Sequence, residues 1–222
     1  NGYYTIWENK PPDYTPTTKR NDETVSFNIN GLNALHKGIE ADFLVKPINN
    51  LDVEGLASIA DWTYTSNDTV LVTDEQGNIL TTAAFLAKGV HVGNAAQLQF
   101  GGSIRYEFLK YFYVKAQYTF FGKNYANFEP TTLNGDNANR ESWKMPDYSI
   151  VDAYSGFEIK GKHNMRYSIT AGVFNVLNTM YISDAQNNGT PPKTGVTGFD
   201  AMHATVFFAQ GRRFNIGLKI SF

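Results

Sequence analysis

Gly211-Arg212-Arg213-Phe214-Asn215-Ile216-Gly217-Leu218-Lys219-Ile220-Ser221-Phe222 alternates without a slip. Phe214, Ile216, Leu218, Ile220 and Phe222 point to one side, and Arg213, Asn215, Gly217, Lys219 and Ser221 to the other. A period of two is a β-strand with two chemically different faces. A soluble sandwich sets the apolar face of such a strand on its core. A membrane β-barrel turns the same face to lipid and the polar face to its lumen. The choice depends on whether the rest of the chain repeats the pattern.

It does. Ile39, Ala41, Phe43 and Val45 oppose Glu40, Asp42, Leu44 and Lys46, and Pro47-Ile48-Asn49-Asn50 supplies a tight turn. Val53, Gly55, Ala57 and Ile59 then oppose Asp52, Glu54, Leu56 and Ser58 in a strand that runs on through Trp62 and Tyr64. Leu98, Phe100, Ile104 and Tyr106 oppose Gln97, Gln99, Ser103 and Arg105. Past a turn near Leu109-Lys110, Val114, Ala116, Tyr118 and Phe120 oppose Tyr113, Lys115, Gln117 and Thr119. Val151, Ala153, Phe157 and Ile159 oppose Asp152, Tyr154, Gly156 and Glu158. Gly161-Lys162-His163 makes the next turn, after which Tyr167, Ile169, Ala171 and Val173 oppose Arg166, Ser168 and Thr170.

With a first strand over residues 1 to 9, this predicts about eight strands in an antiparallel up-and-down meander. Its turns are short near Pro47, Leu109 and Gly161. Long connections fall elsewhere: residues 10 to 33 with a short hairpin at Val25 to Ile29, 65 to 95 with a projecting hairpin around Asp74 to Asn78, Gly122 to Pro146, and Asn178 to Gln210. Tight turns at one end and long loops at the other are the layout of an outer-membrane barrel.

Composition agrees. The chain has 13 Tyr and 16 Phe, yet its mean hydropathy is negative, as expected where every second residue faces water. No apolar run approaches the roughly 20 residues of a spanning helix, and no signal peptide opens the chain. A net charge of −2 gives no reason to expect a nucleic-acid partner. The absence of cysteine removes disulfides and thiolate metal sites. The chain opens without Met in a strand-like segment, which reads as part of a longer polypeptide. An all-β soluble protein is the alternative. It would have to protect open sheet edges, and no Pro or inward charge supplies that protection.

His36-Lys37-Gly38-Ile39-Glu40-Ala41-Asp42-Phe43 with Pro47 and Leu51-Asp52-Val53 resembles the Gly-Ile/Val-Glu strand and following hairpin of TonB-dependent outer-membrane receptors. Phe174-Asn175-Val176-Leu177-Asn178-Thr179-Met180-Tyr181 resembles their late strand end, and Gly211 to Phe222 their closing strand. The three segments follow in family order, in a style similar to the Bacteroidetes receptors. The resemblance implies that residues 1–222 are the C-terminal portion of a transmembrane barrel of 22 strands. The plug domain and TonB box of the family are absent from this sequence. The resemblance also implies TonB-energised uptake of a scarce nutrient (siderophore, vitamin, peptide or glycan) across the outer membrane of a Gram-negative bacterium. The implied partners are outer-membrane lipid, the rest of barrel and plug, TonB with its inner-membrane partners, the barrel-assembly machinery, and a surface lipoprotein. Phe214, Ile216, Leu218, Ile220 and Phe222 correspond to the family's assembly signal. The alternative is a complete eight-stranded barrel, filled by its own side chains, that acts as an anchor or adhesin.

Candidate sites follow from these faces. Glu40, Asp42, Asp52, Glu54, Arg105, Lys115, Asp152, Glu158, Arg166 and Lys219 are expected to line the lumen as wall residues, paired across strands or contacting a plug. Trp62, Tyr64, Tyr125, Phe128 and Trp143 are candidates for stacking on a ligand, against the plainer expectation that long loops bury aromatics in cores of their own. Phe108, Tyr111 and Phe112 suit an interfacial girdle. His36, His91, His163 and His203 are scattered without metal-ligand spacing. Lys193-Thr194-Gly195 has no Ser-x-x-Lys to accompany it. Asn134 to Asn139 lacks the spaced acidic ligands of a calcium loop. No nucleophile–base pair points to an enzyme, and no cofactor is expected.

Overall fold

The computed structural model describes residues 1–10, 17–20, 23–29, 31–128, 132–161, 165–187 and 199–222. The strands, in chain order, are β1 (Gly2–Lys10), β2 (Thr17–Arg20), β3 (Glu23–Ile29), β4 (Leu32–Ile48), β5 (Leu51–Tyr64), β6 (Asp68–Thr73), β7 (Ile79–Phe85), β8 (Ala96–Leu109), β9 (Phe112–Asn124), β10 (Asn127–Phe128), β11 (Tyr148–Lys160), β12 (Arg166–Phe174), β13 (Ile182–Asn187), β14 (Ala204–Phe208) and β15 (Arg213–Ser221). Among the described residues the fold is all-β, with 3-10 turns at Gly135–Asn137 and Ala201–His203 and no α-helix.

The expected meander is the main sheet. Eight strands, in the order β1-β4-β5-β8-β9-β11-β12-β15, pair antiparallel throughout. Residues 49–50 and 110–111 form short turns at one end. A third turn at that end closes through the Gly161 N–H on the Met165 carbonyl at 2.7 Å; Lys162 and His163 lie outside the described residues. The long connections all leave from the other end. Among the described residues β1 and β15 do not pair with each other, so the sheet has two open edges.

The register carries the alternation of single strands across the whole sheet. Val45, Val53, Ile104, Ala116, Ala153, Val173 and Phe214 are successive cross-strand partners in one apolar row. The neighbouring row on the other face reads Asp52, Arg105, Lys115, Tyr154, Gly172 and Asn215. Because directly opposed residues share a face, every apolar row read from the sequence falls on one side. Among the described residues no element covers that side: Ile39 is 69% exposed and Ile216 83%. Two glycines let large rings lie flat on the sheet. A Cβ at Gly55 would collide with the Phe43 ring, and one at Gly156 with the Tyr113 ring. Aromatics laid across strand glycines are a device of curved sheets.

The buried core lies beyond the long-connection end. The projecting hairpin around Asp74 to Asn78 is there as β6 and β7, whereas Val25 to Ile29, read as a short hairpin, lies within the single strand β3, whose hairpin partner is β2; β2, β3, β6 and β7 form one four-stranded sheet. Leu32, Val70, Val72, Phe85, Ala87, Val90, Leu133 and Phe199 make its core. A second small cluster holds Ala126, Met145 and Ala185. Two of the long connections carry more structure than the sequence reading gave them. Residues 122–146 supply the buried Leu133, Ala126 and Met145, and residues 178–210 carry β13 and β14, which pair antiparallel, with β10 added in parallel. Asn134 to Asn139 is an ordered turn with Asn137 buried.

Candidate functional site

The polar face of the main sheet gathers the expected wall residues. Arg105 and Lys115 are direct cross-strand partners, an arrangement that repels unless each cation has its own carboxylate. Each does. Glu54 accepts from Lys115 Nζ at 3.1 Å and from Ser103 Oγ at 2.6 Å. Arg105 lies 3.6 Å from Asp52 and 3.9 Å from Glu107, with its guanidinium 4.3 Å over the Tyr113 ring. Asp52 also meets Lys46 at 3.0 Å. Asp152 accepts the Asn175 backbone N–H at 2.8 Å and the Tyr154 hydroxyl at 3.3 Å. Glu40, Asp42, Glu158, Arg166 and Lys219 share this face and have no ion pair among the described residues.

The five aromatic candidates separate. Tyr64, Phe128 and Trp143 pack on the loop core, Tyr64 and Phe128 edge to face at 5.8 Å. This is the expectation that long connections bury their own aromatics. Trp62 stays on the polar face, where it joins His36 and two residues not singled out from the sequence, Tyr3 and Trp7. Its ring stacks on His36 at 4.7 Å and 10°, and its indole N–H donates to Tyr3 Oη at 2.9 Å. Trp7 approaches the same imidazole at 6.0 Å. Further along the same face Phe121, Tyr148 and Tyr181 stack in series at 5.0 and 4.1 Å. Finding these groups required the β1–β4–β5 and β9–β11 registers, which no single strand contains.

Tyr125, the fifth candidate, belongs to a clasp between connections. Its ring stacks on His91 at 4.2 Å and 3°. His91 Nδ1 lies 2.7 Å from Glu141, its backbone N–H donates to the same carboxylate at 3.1 Å, and Nε2 faces Asp61 at 3.6 Å. Asp61 in turn pairs with Lys37 at 2.9 Å. Burial pushes the Glu141 carboxyl up, but the hydrogen bonds from His91 and the Ser142 N–H outweigh it and hold the group below its ordinary 4.5. Burial, with the nearby Glu141, Asp61 and Asp147 charges, raises the Tyr125 phenol. Among the described residues no metal-ligating group of three or more converges. His163 and Lys193-Thr194-Gly195 lie outside the described residues, as does the His203 side chain.

The Phe174 to Tyr181 segment is a built turn. Asn175 and Asn178 hold left-handed φ of 52° and 53°. Asn175 brackets Thr179, accepting its N–H at 2.8 Å and donating to its carbonyl at 2.9 Å. Asn178 accepts the Arg212 N–H at 2.9 Å and so leads the chain into β15. There Phe214, Ile216, Leu218 and Ile220 follow on the apolar face, and Phe222 is fully exposed. In comparisons with known proteins, the chain matches no family model and no curated protein.

Proposed function

We propose that the chain is the C-terminal part of the β-barrel of a TonB-dependent outer-membrane receptor that takes up a scarce nutrient in a Gram-negative bacterium. The carrying observation is the register, which places the apolar rows of all eight strands on one uncovered face. Each of these strands has nine residues or more, and a tilted strand crosses a bilayer with about 9–11. In this reading the apolar face meets lipid and the polar face meets lumen and plug. The open edges of β1 and β15 take further strands, which favours part of a larger barrel over a complete eight-stranded anchor or adhesin. The short turns face the periplasm, and the loop sheets form an extracellular cap. Ligand capture, and coupling through the plug to TonB and its inner-membrane partners, follow from the sequence resemblance.

The test is made in a strain that produces the full-length polypeptide. Its loss should abolish growth on one scarce nutrient, and loss of TonB should abolish the same growth. Growth on every nutrient tested that is indifferent to TonB, with the polypeptide outside the outer-membrane fraction, would contradict the proposal.

A further inference from the structure

We propose that residues 89–94 form a hinged strap, latched to the main sheet by Gln97, along which the loop cap parts from that sheet as one body. β5 pairs with β8 from Leu51 to Ile59 and then changes partner. Toward the long connections, residues 89–92 take the edge that β8 leaves. Gly89 N–H donates to the Tyr64 carbonyl at 2.8 Å, Tyr64 N–H to the Val90 carbonyl at 2.9 Å and Val92 N–H to the Trp62 carbonyl at 2.9 Å, with Thr63 opposite His91. A side chain spans the change. Gln97, 1% exposed, accepts the Trp62 N–H at 2.9 Å and donates to the Trp62 and Val92 carbonyls at 3.3 and 3.1 Å. Its amide stands in for the peptide group that a longer β8 would supply.

Three properties make this join one that opens. It is short, and local opening is drawn from segments with few bonds to the rest of the fold. Its ends are built as hinges, a few terminal residues that absorb the change in backbone angles. Gly89 and Asn94 hold left-handed φ of 88° and 67°, and nothing lies within 4 Å of a Cβ placed on Gly89, so the glycine serves backbone conformation alone. The strap is also tied closely to the cap. Val90 packs in the loop core with Phe85 and Leu133. His91 holds Glu141 through its backbone N–H and its Nδ1, and Asn94 N–H reaches the Tyr125 carbonyl at 3.3 Å. The His91 ring meets the main sheet through Asp61, at the longer distance of 3.6 Å. A strap that leaves β5 therefore carries residues 125–141 with it. The consequence for access to the lumen rests on the receptor reading, which places this seam at the mouth; the opening itself does not.

The chain has no cysteine, so thiol labelling can report the opening. Single cysteines would replace Val90 in the strap and Ala126 in the neighbouring connection, both buried, in full-length protein in detergent. Gln97→Leu should raise both labelling rates about tenfold or more, because it strips one N–H and two carbonyls of their partner at a dry site. Gly89→Ala strains the closed hinge and should also raise both about tenfold; it carries the test if Gln97→Leu does not fold. Hydrogen exchange at residues 51–59 and 98–106 should stay at the parental level in both variants. The proposal is overturned if the variants leave both labelling rates unchanged, if the Val90 site responds and the Ala126 site does not, or if the two wall segments accelerate as well, which marks global unfolding. Outer-membrane insertion of the parent is measured separately. Failed insertion counts against the receptor reading, and an inserted protein whose two sites respond independently counts against the strap.

Discussion

Replacing Asn175 by alanine removes two supports at once. The side chain is 4% exposed and makes two hydrogen bonds to the Thr179 backbone, at 2.8 and 2.9 Å, from a residue with φ of 52°. Each bond is worth about 1 kcal/mol net, and more where the abandoned backbone group stays dry. Alanine also pays about 1 kcal/mol to remain left-handed. The expected loss for Asn175→Ala is about 2–4 kcal/mol. Asn175→Gly loses the same bonds but keeps the backbone freedom, so it should cost about 1 kcal/mol less. The assay is the urea midpoint of the full-length protein refolded in detergent, with hydrogen exchange at residues 175–181 and 211–214, since Asn178 passes the turn on to Arg212. An alanine variant no less stable than the glycine variant would refute the strain argument. Parental stability in both would refute the turn's role altogether.

Other consequences are shorter to state. In the proposed receptor Ala116→Arg, on the apolar face, should cost about 2–4 kcal/mol while Gln117→Arg on the opposite face is tolerated; folding titrations in lipid vesicles compare them. Leu133→Ala, at a fully buried position of the loop core, should cost about 2–5 kcal/mol of cap stability, read as faster exchange at residues 86–92 with the main-sheet strands unchanged. Glu141 has a depressed folded-state pKa, so its contribution is complete above its ordinary 4.5 and is lost as pH falls through the lower folded value. Exchange near His91 should accelerate on acidification in that range, and Glu141→Gln should flatten the response. Phe222 is fully exposed and has no buried apolar contact to lose. Phe222→Ala should therefore leave refolding in vitro intact, and the assembly-signal reading expects a lower outer-membrane level in cells.

The eight-strand meander was legible because period two survives in each strand taken alone, and because short turns at Asn49-Asn50 and Lys110-Tyr111 punctuate it. The projecting hairpin, β6 and β7, was legible for the same reason. Pairings between distant segments were not. β10 is two residues long and pairs in parallel with β13 across a long stretch of chain, so it has no periodicity to read. His91 and Glu141 lie 50 residues apart on two connections and meet only when those connections fold back over the sheet. Tyr64, Phe128 and Trp143 looked like ligand-stacking residues because loop aromatics serve either use; the fold spends them on a loop core. The Trp62–His36–Tyr3 group was hidden because its members lie on three strands whose register decides which rings touch.

The central claim is that the apolar face meets lipid, and the absence of cysteine from the chain makes it directly measurable. Single cysteines at Val114, Ala153 and Ile216 on the apolar face, and at Gln117, Asp152 and Asn215 on the polar face, would be labelled with an environment-sensitive fluorophore in full-length protein reconstituted into vesicles containing a lipid-borne quencher. The account predicts strong quenching at the first three positions and weak quenching at the other three, alternating with the register. Equal quenching on both faces, or none on either, would contradict it.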